Sequence, residues 1–151
     1  MAVIIRDQQV ANDNWKLLES GADGAAPSVP PAGDIIVPLA LWLEHRDALL
    51  SREGRLGVWI ASHEDPALIA HDLEHFALVA VNFPQFTDGR GYSVARLLRE
   101  RYGWRGELRA IGDVFRDPLF YLARCGFDAF ALRSGEDAHA ALSAFDDFSE
   151  A

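Results

Sequence analysis

Cysteine is almost missing from this chain: Cys125 is the only one in 151 residues. A single thiol excludes an intramolecular disulfide and any cysteine-built zinc or iron–sulfur centre. Lysine is as scarce, with Lys16 alone, so arginine carries nearly all the positive charge. Arginine makes planar, two-pronged contacts to carboxylate, phosphate or sulfate. Positive charge as a whole is in deficit: the net charge is −9, which argues against general binding to nucleic acid. No basic leader precedes a long apolar run, and stretches such as Phe76–Val81 are far too short to cross a bilayer. The expectation is a cytoplasmic protein with no membrane contact.

What is present is apolar and evenly spread. Half of the residues are hydrophobic, enough for one sizeable core. Val3–Ile5 is expected to pair with Trp15–Leu18 across a polar turn at Asn12-Asp13-Asn14, giving a small N-terminal β ribbon packed on the domain over residues 1–19. Residues 20–34 are rich in Gly, Ala, Pro and Ser and read as a flexible linker, extended at Pro30-Pro31.

Residues 35–151 read as an α/β domain of about four strand–helix units. Ile35–Val37 is a strand, with Pro38 suited to the first turn of a helix reaching Ser51 and Gly54 as its stop. That helix only loosely follows the helical period at Leu39, Trp42, Leu43, Leu49 and Leu50. Leu56–Ala61 and Phe76–Phe83 are strands, the second continuously apolar as a strand buried on both faces should be. Asp65-Pro66 and Asp117-Pro118 each read as cap and first residue of a helix. Ser93–Tyr102 is a helix, Glu107–Ile111 and Ala129–Leu132 are strands, and Ser134–Asp137 resembles a capping box before a last helix. Strands alternating with helices over short connections imply a mainly parallel sheet with right-handed crossovers, either open and three-layered or a half-barrel.

In a parallel sheet the ligand sits beyond the carboxyl ends of the strands. Those ends are Ser62-His63, Asn82–Tyr92, Gly112–Asp117 and Arg133-Ser134. The second is the longest and holds Asp88-Gly89-Arg90-Gly91-Tyr92-Ser93 ahead of a helix. Two glycines let backbone N–H groups approach a ligand, the helix dipole favours negative charge, and Arg90 adds a forked contact to an oxyanion. The competing reading is a plain turn in which Asp88 pairs with Arg90 or Arg96. From Phe83 to Arg124, eight arginines face five acids, a cationic surplus that suits either an anion site or a solvated helix surface.

Asp88 and Asp113 are the candidate acids, Asp113 because it directly follows a strand, though an Asx-turn explains it as simply. Arg116 joins the ligand-binding set, or else forms a surface ion pair. Cys125 reads as a small buried residue, with Arg124 beside it. His71 and His75, four apart with Glu74 between, lack the zinc-protease pattern and read as polar surface, so no metal is expected. His63 and His139 have no assignable partner. Neither a flavin nor a nicotinamide fingerprint is present, and no cofactor is expected.

The run from Asn82 to Arg101, with Gly106–Ala110, Gly112-Asp113-Val114 and Leu122–Phe130, resembles a bacterial family filed as domain of unknown function 934. Similar proteins are often labelled oxidoreductases of sulfite reduction, because their genes lie beside sulfite reductase and related sulfate-assimilation genes. The resemblance implies a place in assimilatory sulfate and sulfite reduction; with no redox-cofactor fingerprint, the expected role is an accessory protein whose Asp88–Gly91 loop binds a small oxyanion, or sulfite reductase or another sulfur-assimilation enzyme as partner. The alternative is a small enzyme acting on a phosphate- or sulfate-bearing metabolite at the same loop. Trp104 and Phe115 fall in expected loops where they would face a partner, and an unprotected sheet edge would gain from a homodimer.

Overall fold

The computed structural model describes residues 2–19, 29–85, 87 and 89–146. Its centre is one sheet of eight strands: β1 (Ala2–Arg6), β2 (Gln9–Asp13), β3 (Lys16–Leu17), β4 (Ile35–Pro38), β5 (Leu56–Ala61), β6 (Leu78–Phe83), β7 (Glu107–Gly112) and β8 (Ala129–Phe130). The order across the sheet is β2-β1-β8-β7-β6-β5-β4-β3. From β3 to β8 every pairing is parallel and every chain neighbour is a sheet neighbour, while β1 runs antiparallel to β2 and β8.

Successive parallel crossovers of one hand that always step the same way leave their connections on one face. Those connections are α1 (Leu39–Ser51), two short 3₁₀ turns at Pro66–Ile69 and Leu73–His75, α2 (Gly89–Arg96, continued by a π turn over Leu97–Arg101), and α3 (Leu119–Arg124). After β8 come α4 (Ala138–Ala141) and α5 (Ser143–Asp146). The main core lies under them, from alternate strand residues such as Val37, Val58, Ile60, Val79, Val81, Leu108 and Ala110. The intervening residues Ile36, Leu78, Ala80 and Ile111 form a smaller cluster on the other face, covered by Trp15 and Trp59. Two buried faces explain the unbroken apolar runs of these strands.

The sheet is curled into a half-barrel. Only Asn14 and Trp15 join β2 to β3, yet these strands occupy opposite edges. That link spans at most ~11 Å, whereas seven inter-strand steps of a flat sheet span ~34 Å. The face opposite the helices is the concave one, because Asp13 in β2 reaches across it to Arg109 in β7.

The N-terminal segment differs from the sequence expectation. Val3–Ile5 pairs with Val10–Asn12, not with Trp15–Leu18, and Lys16-Leu17 pairs with β4 at the far edge. Asp7 and Gln8 form the tight turn with φ of 53° and 62°, the doubly left-handed conformation that suits the twist of a hairpin. Asp-Gln carries none of the glycine or asparagine that announces such a turn. Of the expected linker, residues 20–28 lie outside the described residues. The rest is tied down: the Arg52 guanidinium donates to the carbonyls of Pro30 and Gly33, and Arg55 binds Asp34 at 2.9 Å.

Several helix boundaries move by a residue or a turn. Pro38 ends β4 and caps α1, and α1 kinks at His45 (φ −132°). The kink accounts for the loose periodicity: Leu39, Leu41, Trp42 and Leu49 are buried, while Leu43 and Leu50 are exposed. Asp65 does cap, accepting from the Ala67 N–H at 2.9 Å, but the turn is 3₁₀. Asp117 does not cap α3, which starts at Leu119 after Pro118. At the last helices Asp137 is the cap, accepting from His139 and Ala140, in place of Ser134. Trp104 is 8% exposed, with its indole donating to the Glu107 carbonyl, so it belongs to the core and not to a partner surface.

Asp128, at the entry to β8, yields a pH prediction. It is half-buried, accepts from the Leu108 N–H at 2.8 Å and pairs with Arg99 at 3.4 Å. Desolvation is the largest influence and lifts its pKa above the ordinary 3.8, outweighing the Leu108 bond and Arg99. A raised acid stabilises the fold fully below 3.8, and that contribution is lost as pH rises through the folded value. Asp128→Asn keeps the acceptor and removes the titration. The melting temperature of the variant relative to the parent is therefore expected to climb as pH rises from about 3 toward neutrality. A flat or falling difference would refute the assignment.

Candidate functional site

The carboxyl ends of the parallel strands open onto two hollows. One lies on the concave face, has a volume of about 330 Å³ and is lined by Leu17, Glu19, Trp59, Asn82, Ile111 and Gly112. The other, about 480 Å³ and shallow, is lined by Pro84, Gln85, Thr87 and Arg90. Both stand at the end of β6, which supplies Asn82 to the first and leads directly into Pro84 of the second.

The sequence-derived set divides between them and their surroundings. Gly89, Arg90, Gly91, Tyr92 and Ser93 form the first turns of α2, with Arg90 exposed. Asp88 lies outside the described residues. The first N–H groups of any helix lack acceptors within it, so Gly89–Gly91 present donors at this end. Gly91 also has a packing duty: a Cβ there would lie 2.3 Å from the Phe83 ring, so glycine lets α2 settle on the end of β6. Tyr92 joins the same aromatic layer, 5.2 Å from Phe83 and 4.9 Å from Tyr121 between ring centres. Burial raises the Tyr92 pKa above its ordinary 10.0. The Ser93 hydroxyl donates to the Gly89 carbonyl at 3.4 Å.

Asp113 and Arg116 are engaged with the chain's C-terminal part. Arg133 donates to Asp113 at 2.8 Å and stacks over Phe115 at 4.1 Å. The Arg116 N–H donates to Glu136 at 3.3 Å, its guanidinium to the Ser143 hydroxyl at 3.1 Å, and Asp117 lies 3.6 Å away. Cys125 is buried at the C-terminus of α3, and hydrogen bonds to Cys125 and then Tyr121 raise the pKa of Arg96. His75 is in a 3₁₀ turn against Trp42, with 5.9 Å between ring centres, so His71 and His75 do not share a helical face. Among the described residues no group of three or more His, Cys, Asp or Glu is placed to hold a metal ion. Nor is any helix there long and apolar enough to cross a membrane.

The concave hollow lies apart from the sequence-derived set. Trp59 reads from sequence as a strand residue and Asn82 as the start of a loop. Strand alternation was the available signal: Leu78, Ala80 and Asn82 share a face, as do Trp59 and Ile111 across the ladder. The Trp59 indole donates to the Leu18 carbonyl at 2.8 Å, which fixes the ring.

The model of a bacterial protein family of unknown function, DUF934, matches residues 57–151. The chain belongs to the DUF934 family. The match takes in β5 to β8 with α2 and α3, and so includes Trp59, Asn82, Arg90, Ile111 and Gly112. Leu17 and Glu19, which complete the concave hollow, precede the DUF934 match. No curated protein and no solved structure matches the chain.

Proposed function

We propose that this DUF934 protein is a cytoplasmic accessory factor of assimilatory sulfate and sulfite reduction, holding an oxyanion or the surface of sulfite reductase at the Arg90 end of α2. The observation that carries the reading is the exposed Arg90 in the first turn of a helix, lining an open hollow at the carboxyl edge of a parallel sheet. A guanidinium beside helix N–H donors is complementary to sulfite, sulfate or an acidic protein surface. The sulfur pathway comes from the labels of similar proteins. A catalytic role at this loop is less well supported, since Asp113, the candidate acid just after β7, is held by Arg133.

A thermal-shift series with sulfite, sulfate and phosphate tests the ligand. Saturation at a hundredfold excess over Kd adds about 2.7 kcal/mol, or roughly 5–10 °C. We expect a rise with at least one of these anions and its loss in Arg90→Ala. Capture of sulfite reductase by the parent chain and not by Arg90→Ala would support the docking form. If no anion shifts the melting temperature and Arg90→Ala still captures the enzyme, the loop has neither role.

A further inference from the structure

The concave hollow has a different chemistry from the Arg90 loop. Its volume of about 330 Å³ falls in the range of small-molecule sites, about 300–1,000 Å³. Trp59 and Ile111 give it an aromatic lining residue and an aliphatic one, and the Trp59 N–H is already satisfied by Leu18, which leaves its ring carbons for contact with a ligand. Asn82 contributes a carboxamide with one acceptor and two donor positions. That amide lies close against the neighbouring strand end: a Cβ on Gly112 would stand 2.5 Å from the Asn82 Oδ1. Glu19 places a carboxylate among the lining residues, and among the described residues the lining includes no Lys, Arg or His.

We propose that this pocket binds a planar nitrogen heterocycle of nucleobase size, uncharged or cationic, stacked on Trp59 and read by Asn82. A flat ring matches an indole face, the stacking that aromatic side chains give bases at nucleic-acid sites. A donor–acceptor edge on that ring pairs with the carboxamide, and an amine or ring N–H donates to Glu19. Anions are disfavoured by the carboxylate, with no cation among the described lining residues to offset it. The site is independent of the oxyanion proposal, and either can fail alone.

The test is titration of the full chain with adenosine, guanosine, uridine and nicotinamide, read by calorimetry and tryptophan fluorescence, with sulfate as competitor. We expect at least one heterocycle to bind with Kd in the millimolar range or tighter. Asn82→Ala should weaken it about tenfold, the loss of one good hydrogen bond. Trp59→Phe should weaken it less and remove the fluorescence change. If Asn82→Ala does not fold, Glu19→Gln decides, with a several-fold weakening expected. Binding of none of the four at 10 mM, affinities unchanged in the folded variants, or displacement by sulfate would each overturn the proposal.

Discussion

Arg109→Met is expected to destabilise the fold by about 3–5 kcal/mol, the usual cost of leaving a buried charge without its partner. Arg109 is 2% exposed and Asp13 is 6% exposed, and they meet in a two-pronged pair with both N–O distances at 3.0 Å. The network continues: the Arg109 Nε donates to Glu107 at 2.8 Å, and the Arg6 Nε to the other oxygen of Glu107, also at 2.8 Å. Arg6 further lies 3.6 Å from Asp13. Two guanidiniums and two carboxylates thus neutralise each other inside the concavity. Removing Arg109 leaves Asp13 with only the longer Arg6 contact, in a place water cannot easily reach. The double variant Arg109→Met/Asp13→Leu is expected to recover most of the loss, because it replaces the pair by apolar volume and leaves the Arg6–Glu107 bond in place. Urea unfolding of the parent and both variants reads this directly. A single variant as stable as the parent, or a double variant worse than the single, would contradict the account.

This pair also marks where sequence reading ran out. Arg109 falls in the expected strand Glu107–Ile111 and otherwise counts only toward the arginine surplus; Asp13 reads as a turn residue. They are 96 positions apart, and β2 and β7 are separated by two other strands. In a flat sheet they would stand about 14 Å apart. Only the curl, a property of the closed set of pairings, brings them into contact. Local signals served well where connections are short and strands are buried on both faces: β5, β6, β7 and the start of α3 lie within a residue or two of their expected places. They failed at the N-terminus, where the true turn at Asp7-Gln8 lacks glycine and β3 finds its partner at the opposite edge of the sheet. Between the two architectures left open by the strand–helix pattern, the half-barrel is the one formed. The concave pocket was hidden for the same reason. Its residues come from β3 and the chain just after it, β5, β6 and β7, and no single segment carries more than two of them.

Gly112→Ala is expected to cost about 2–6 kcal/mol, combining left-handed strain with a clash that cannot relax. Gly112 ends β7 at φ +95°, and a Cβ would lie 2.3 Å from the Phe83 carbonyl oxygen and 2.5 Å from the Asn82 Oδ1. The Phe83 carbonyl is not free to give way, because it accepts from the Asp113 N–H at 2.7 Å. Relief of the second contact would require the Asn82 side chain to move, and its displacement would disturb the concave pocket. The two costs separate with existing glycines as controls. Gly135 has φ +89° and nothing within 4 Å of an added Cβ, so Gly135→Ala measures strain alone, about 1–3 kcal/mol. Gly89 has neither a positive φ nor a near neighbour, so Gly89→Ala is expected to be close to neutral. The order of melting temperatures should be Gly89→Ala highest, Gly135→Ala next and Gly112→Ala lowest. At about 2–4 °C per kcal/mol the spread is easily resolved. Gly112→Ala matching Gly135→Ala would mean that the strand ends yield to the added methyl group. The carboxyl edge of the sheet would then be soft, and a preformed pocket between Asn82 and Gly112 would lose its physical basis.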